Sequence, residues 1–191
     1  MKILIIKHGS LGDLVLSFGA IKTLNHHYPN DDLYLLTQSN YKNIFIKLPY
    51  VKEILIDNRS SIIQSIINYL KIIKKNKFDL VVDLQNSNRT QIYHFFTRVF
   101  TNTQILSARK FSNIKYQQKT LGVQHITQNH KDQLSKLNIH KYFSPDLSWM
   151  SLKKTNKNNY VIMIPGASKT GSYKKWPTQK FAKIAKHLID K

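Results

Sequence analysis

Cysteine is absent from the 191-residue chain, and with it go disulfide frameworks, thiolate-bound zinc and thiol nucleophiles. Carboxylates are scarce as well: 10 Asp and Glu stand against 30 Lys and Arg, leaving a formal net charge of +20. Such an excess favours an anionic counterpart, which nucleic acid, anionic lipid or a phosphate- or carboxylate-bearing substrate could each supply. No block of consecutive like charges accompanies it, so the mark of a nucleic-acid tail is missing and nucleic acid is not an expected partner. The joint abundance of Lys, Asn and Ile also matches what an AT-biased genome produces, in which case the lysines are ordinary solvated surface. Long apolar runs are missing too. None approaches the roughly 20 residues that cross a bilayer, and Ile3-Leu4-Ile5-Ile6 is interrupted by Lys7 and His8 before it could serve as the core of an export signal. The expectation is a cytoplasmic protein without an integral membrane span.

What is present is a hydrophobic fraction of 41%, mostly Ile, Leu and Val in short runs, enough for one ordinary domain and a remainder. Buried-strand runs at 2–6, 32–37, 53–56, 79–84 and 103–107 alternate with helical patterns, the signature of an α/β fold with a doubly wound parallel sheet, Rossmann-like in class. Leu14, Phe18, Ile21, Leu24 and Tyr28 mark the first helix, closed by Pro29-Asn30. Ser61 and Gln64, in capping-box spacing, announce a second that carries Ile62, Ile63, Ile66, Ile67, Leu70 and Ile73. A third, over 89–100, brings Ile92, Phe95, Phe96 and Val99 together, a stripe read as facing the core. The pattern weakens from 110 to 158, with one modest helix predicted at 131–137 and loop elsewhere. The divisions expected are a first domain over 1–152, a polar linker over 153–159, and over 160–191 the incomplete start of a second domain. That start is a β-loop-α unit, with a strand at 160–164 and a helix presenting Phe181, Ile184, Ala185 and Leu188.

The loop Lys7-His8-Gly9-Ser10-Leu11-Gly12-Asp13 joins the first strand to the first helix, at the carboxyl edge where open α/β sheets bind ligands. It matches neither the glycine fingerprint of dinucleotide binders nor the phosphate loop. Gly12 admits close approach of a ligand to the backbone, or a conformation barred to other residues. Asp13 projects a carboxylate from the helix start. Aspartate is also a favoured N-cap, drawn to the positive helix end, so position alone leaves both readings open. Asp83 and Gln85, at the end of a strand run, fit either a ligand-lining or a loop-capping role. Lys7, Arg89 and Arg109 are candidate partners for carboxylates or phosphates. His26, His27, His125, His130 and His140 have no metal-ligand spacing and read as surface residues, and no metal site is expected.

The run Lys2 to Asp13, with its Leu/Val-rich continuation and Ala20-Ile21-Lys22-Thr23-Leu24 closing at Tyr28-Pro29, resembles the opening of the family 9 glycosyltransferases, the ADP-heptose:lipopolysaccharide heptosyltransferases. Residues 78–85 are similar to the family's next recognisable strand, which ends beside the acceptor pocket. Ile164-Pro165-Gly166-Ala167-Ser168, followed by Lys174-Lys175-Trp176-Pro177, resembles its first donor-domain strand, loop and helix. The resemblance implies the two-Rossmann-domain GT-B architecture, with Asp13 as catalytic base and Lys7, Ser10, Gly12, Gln85 and Arg89 at the acceptor. Gly166, Ala167, Ser168 and Lys174 are implied at the donor diphosphate, where Lys175 could take the role of Lys174. It further implies inverting transfer from an ADP-heptose-like donor to a lipopolysaccharide core acceptor, with no metal and no cofactor, and peripheral contact with the cytoplasmic face of the inner membrane. The family's later Asp-Thr-Gly motif has no counterpart here. A truncated chain with little or no activity by itself is therefore the expectation, with a non-catalytic basic module for an anionic glycan or membrane surface as the alternative.

Overall fold

Successive strand residues point to opposite faces of a sheet, and in this chain both faces are apolar. Ile3 and Ile5 enter one core with Leu33, Leu35 and Val82, while Leu4 and Ile6 enter a second with Tyr34, Leu36 and Val81. Strands buried on both sides belong to a parallel sheet covered by helices on each face. The computed structural model describes residues 1–58, 60–119, 123–150, 160–167 and 169–189. Two compact units divide the chain, Met1–Ser151 and Leu152–Lys191.

The first unit is a six-stranded sheet in the order β3-β2-β1-β4-β5-β6, every adjacent pair parallel. The strands are β1 (Lys2–Ile6), β2 (Asp32–Thr37), β3 (Glu53–Ile56), β4 (Leu80–Asp83), β5 (Gln104–Ser107) and β6 (Ile114–Lys115). Its helices are α1 (Leu11–His27), α2 (Lys42–Phe45), α3 (Ile62–Asn76), α4 (Asn88–Phe100) and α5 (Ile126–Ser135). Leu14, Phe18, Ile21 and Leu24 of α1 and Leu134 of α5 fill the first core; Tyr69 and Ile73 of α3 and Tyr93 of α4 fill the second. Residues 142–149, read as loop, recross α1. Phe143 N–H donates to Thr23 Oγ1 at 2.9 Å, Lys22 Nζ reaches Asp146 Oδ2 at 2.7 Å, and the Trp149 ring meets Phe18 edge-on at 5.3 Å. Gly19 makes that crossing fit, since a Cβ there would stand 2.5 Å from Phe143 O.

Three expectations for the first unit are corrected. The stripe of α4 faces outward: Thr90, Tyr93, His94 and Thr97 are buried, whereas Phe95, Val99 and Phe100 are exposed. Polar partners decide the matter. Tyr93 OH donates to Asp57 Oδ2 at 2.5 Å, Thr97 and Tyr69 hydroxyls lie 2.7 Å apart, and the Tyr69 and Tyr93 rings stack at 4.4 Å. Buried polar groups need their hydrogen bonds, and a helix that turns these residues inward turns the opposite stripe out. Next, α5 occupies Ile126–Ser135 and not 131–137. It starts at His125, whose Nδ1 accepts from Thr127 N–H at 3.3 Å, and its inner face is mostly polar (Asn129, His130, Gln133), so apolar spacing does not mark it. The surface reading of His130 falls with it, since that ring is buried.

In the second unit, residues 160–164 form no strand; Tyr160, Val161, Ile162 and Ile164 are exposed. A strand exists through ladder bonds to a neighbour, and the described residues of this unit offer none. After a 3-10 stretch at Lys169–Lys174, α6 runs over Thr178–Ile189, with Pro177 just before it and the Trp176 ring edge-on to Phe181 at 5.1 Å.

Candidate active site

The connection from β1 passes outward through β2 to β3, then returns to β4 on the other side of β1, so the strand order reverses between β1 and β4. Open α/β sheets bind ligands in the crevice at such a reversal, beyond the carboxyl ends of the strands. The loops that follow β1 and β4 carry Lys7 to Ser10 and Leu84 to Ser87. They are tied to each other: Lys7 Nζ donates to Leu84 O at 3.3 Å, and His8 N–H to Gln85 Oε1 at 3.1 Å. Gln85 N–H in turn donates to Asp83 Oδ1 at 2.9 Å, so Gln85 is fixed by its own strand end while it fixes the loop opposite.

Ser10 N-caps α1, and both its N–H and its hydroxyl donate to Asp13 Oδ2, at 3.2 and 3.1 Å. Asp13 therefore caps the helix with one oxygen. Its Oδ1 has no protein donor among the described residues, and the side chain is half-buried at the mouth of the reversal. The backbone strain of this turn sits at Gly9, where φ is 137° and a Cβ would approach the Tyr41 ring to 2.9 Å. Gly12 is helical, with nothing within 4 Å of where its Cβ would lie. Gly12 thus leaves open space beside the helix start and needs no unusual conformation.

Lys7 is buried, and burial pushes its ammonium pKa down while the charges of Asp13 and Asp83 oppose the shift. His130, brought in by α5, has no hydrogen-bond partner for either ring nitrogen among the described residues. Burial first, then the Lys7 charge, pushes its pKa down to about 3 against the pull of Asp13. The ring is thus neutral within the electrostatic reach of both. Arg89 belongs elsewhere on the same edge: its guanidinium donates to Ser65 Oγ at 2.7 Å and to Ser60 O at 3.3 Å, pinning α4 to the start of α3.

Two buried acid–histidine pairs underlie the edge. His8 Nε2 lies 3.0 Å from Asp57 Oδ2, and His94 Nε2 lies 3.2 Å from Asp83 Oδ2, near enough for charge to act though not aligned for a hydrogen bond. Burial pushes the Asp83 carboxyl up, but His94, the Thr90 hydroxyl and the Asn86 N–H outweigh it and hold it below the usual carboxylate range. Asn86 ties β4 to β5: its Oδ1 accepts from Ser107 Oγ at 3.0 Å and Ala108 N–H at 2.8 Å, and its carbonyl accepts from Arg109 Nε. Beyond it, Arg109, Lys115, Lys119 and Lys136 surround a cavity of about 690 Å³ with Tyr116. Among the described residues no cluster of three His, Asp or Glu could hold a metal ion.

In the second unit, Gly166 and Ala167 line a pocket of about 500 Å³ with Lys175, Trp176 and Thr178. Lys174 does not line it; its Nζ lies 5.5 Å from the centre of the Tyr173 ring. Ser168 lies outside the described residues. No described helix is long and apolar enough to cross a membrane.

A doubly wound parallel sheet with this strand order places the first unit in the Rossmann-like class of folds. Residues 66–191 match the model of glycosyltransferase family 9 (heptosyltransferase), and the chain belongs to that family. No curated protein sequence matches it. Among solved structures, E. coli heptosyltransferase WaaC with ADP-2-deoxy-2-fluoro heptose superimposes with a TM-score of 0.77 at 17% identity, over 100% of this chain and 66% of that one. E. coli ADP-heptose lipopolysaccharide heptosyltransferase II gives 0.70 at 19% identity, over 100% and 62%. The family 9 glycosyl transferase from Veillonella parvula gives 0.60 at 19%, over 72% and 42%. At these identities the likeness is one of fold, and the chain spans between 42% and 66% of these relatives' lengths.

Proposed function

We propose that the chain transfers a heptose-like sugar from an ADP-heptose-like donor to a hydroxyl of a lipopolysaccharide core acceptor, by inverting single displacement with Asp13 as base. The observation that carries this is Asp13 Oδ1, without a protein donor among the described residues, at the reversal between β1 and β4 in a member of a heptosyltransferase family. A sugar hydroxyl is a poor nucleophile while protonated, and a carboxylate within hydrogen-bond reach can take that proton as the new bond forms. The acceptor oxygen bonds to the anomeric carbon as the bond from that carbon to the diphosphate breaks, so ADP leaves with the bonding pair and Asp13 holds the proton. Residues 1–152 serve as the acceptor domain. Lys7, Ser10, Gly12 and Gln85 shape its mouth, with Arg89 farther along the edge.

Negative charge growing on the diphosphate needs fixed donors and cations. We assign these to Ser168, to the backbone N–H groups of Gly166 and Ala167, and to the lysine pair, with Lys175 favoured over Lys174 because it shares a pocket with Gly166 and Ala167. Fixed positive groups make a metal ion unnecessary in this scheme. Donor identity rests on kinship with an enzyme solved with ADP-2-deoxy-2-fluoro heptose.

The test is transfer from ADP-heptose to a heptose-deficient core lipopolysaccharide by the wild type, Asp13→Ala and Asp13→Asn. Asparagine keeps an oxygen for the Ser10 donors but cannot take a proton. Both variants should lose roughly 10²- to 10⁴-fold in rate, and only the alanine variant should lose helix-cap stability. Transfer by Asp13→Asn at the wild-type rate overturns the assignment.

A further inference from the structure

Apolar stripes of surface helices ordinarily face inward, and large exposed apolar patches on soluble domains mark interaction sites. On α4 the stripe faces out. Phe95 is 43% exposed, Val99 57% and Phe100 48%, with Phe111 of the turn after β5 43% exposed beside them. The four phenylalanines form a continuous ladder of rings: Phe111 meets Phe95 at 5.3 Å, Phe95 meets Phe96 at 5.4 Å, and Phe96 stacks over Phe100 at 6.2 Å. Cations frame it. Lys74 Nζ of α3 lies 4.7 Å from the centre of the Phe100 ring, and Arg98 and Lys110 are exposed at its flanks. At the far end, a groove of about 450 Å³ between the ends of α3 and α4 is lined by Lys74, Lys77 and Phe100, with Asp79 as the single acid.

We propose that this face, the outer side of α4 with Phe111 and the lysines at the end of α3, docks on an anionic lipid bilayer. Aromatic rings framed by Lys and Arg are what the headgroup region accepts: rings enter the acyl boundary while the cations stay with lipid phosphates. Negative surface charge complements a chain of formal charge +20. A second copy fits the face poorly, because pairing two such surfaces would oppose Lys74, Arg98 and Lys110 with cations of the same sign. The ladder also begins at the carboxyl edge, where Phe111 follows Arg109 and Lys110. This deepens the glycosyltransferase reading and rests on it in one respect: a core acceptor is held in a membrane by its lipid, and this face would bring the acceptor mouth to it.

The test is co-sedimentation of the whole chain with vesicles of phosphatidylcholine alone and of equal parts phosphatidylcholine and phosphatidylglycerol. Neither sugar donor nor acceptor is present, so the outcome does not depend on catalysis. Wild type should partition into the anionic vesicles at least about tenfold better than into neutral ones. Phe95→Gln with Phe100→Gln should reduce that binding by about tenfold or more, and Lys74→Gln by about fivefold in low salt. Because both phenylalanines are exposed, thermal melts should be unchanged. As a gain of signal, Phe95→Trp should shift its emission to the blue on adding anionic vesicles. The proposal is overturned if wild type ignores anionic vesicles, or if the double variant binds them as well as wild type does. It is equally overturned if the ladder residues instead hold a second copy in sedimentation equilibrium, or single-stranded DNA in preference to lipid. Loss of vesicle binding in variants that still transfer sugar to a soluble acceptor would leave the assignment of Asp13 untouched.

Discussion

Gly9, in the loop after β1, and Gly12, in the first turn of α1, are three residues apart, yet a side chain would meet very different surroundings at the two positions. Gly9 combines a φ of 137° with the Tyr41 ring 2.9 Å from the place of a Cβ, so Gly9→Ala should destabilise the fold by roughly 1–3 kcal/mol in urea denaturation. Gly12 sits in the first turn of α1 facing open space. Gly12→Ala should leave the fold as stable or more so, by about 0.5–1 kcal/mol, while raising the KM for acceptor, because the methyl occupies the room a sugar needs. An unchanged KM would remove Gly12 from the acceptor site. His130 makes a second prediction at this scale. Its folded pKa of about 3 lies below the ordinary 6.5, so the unfolded chain binds its proton first. Stability from the neutral ring is therefore complete above pH 6.5 and declines as pH falls toward 3, by about 1.4 kcal/mol per pH unit. His130→Met should remove that slope from the acid limb of a stability-against-pH series. Retention of the full slope by the methionine variant would show that other groups carry it.

Which face of a helix a domain keeps is decided by everything the helix must satisfy, and α4 separates the contributions. Tyr93→Phe removes a bond to the buried Asp57 carboxylate and should cost about 1.5–3 kcal/mol, whereas Val99→Ala, on the exposed stripe, should stay within about 0.5 kcal/mol. Chemical denaturation of the two variants distinguishes the faces, and the reverse order would mean that the stripe is packed after all. The same contrast explains what sequence makes legible. Runs such as Ile3-Leu4-Ile5-Ile6 are continuous because helices cover both sides, so strands, their parallel class and the loop after β1 can be read directly. β6 is two residues in a polar stretch and has no period to read. α5 buries Asn129, His130 and Gln133, which apolar spacing cannot detect, and 160–164 has strand composition without a described partner. The place of Lys7, Asp13 and Gln85 at the carboxyl edge of the sheet is legible because loop position after a strand is a sequence property. The pairing of His8 with Asp57, and the approach of His130 to Lys7, join elements far apart in the chain, and no short motif records either.

Over the whole molecule, burial is distributed very unevenly. Every buried apolar side chain among the described residues falls between Ile3 and Ile139, and both cores are closed by elements of the first unit. Sheet, covering helices and the recrossing segment at 142–149 all lie within Met1–Ser151. Hydrophobic burial is the dominant favourable contribution to folding, so a unit that contains all of it should fold without the remainder. Residues 1–151 expressed alone are therefore expected to melt cooperatively within about 4 °C of the full chain, with the same native circular dichroism. Sugar transfer should vanish in that fragment even though Asp13 is present, because Gly166, Ala167 and Lys175 are removed with the second unit. Binding of the core acceptor should persist, measured by titration calorimetry. A fragment that melts without cooperativity would mean that residues after 151 complete the core, and a folded fragment unable to bind acceptor would break the link between the reversal of strand order and the acceptor.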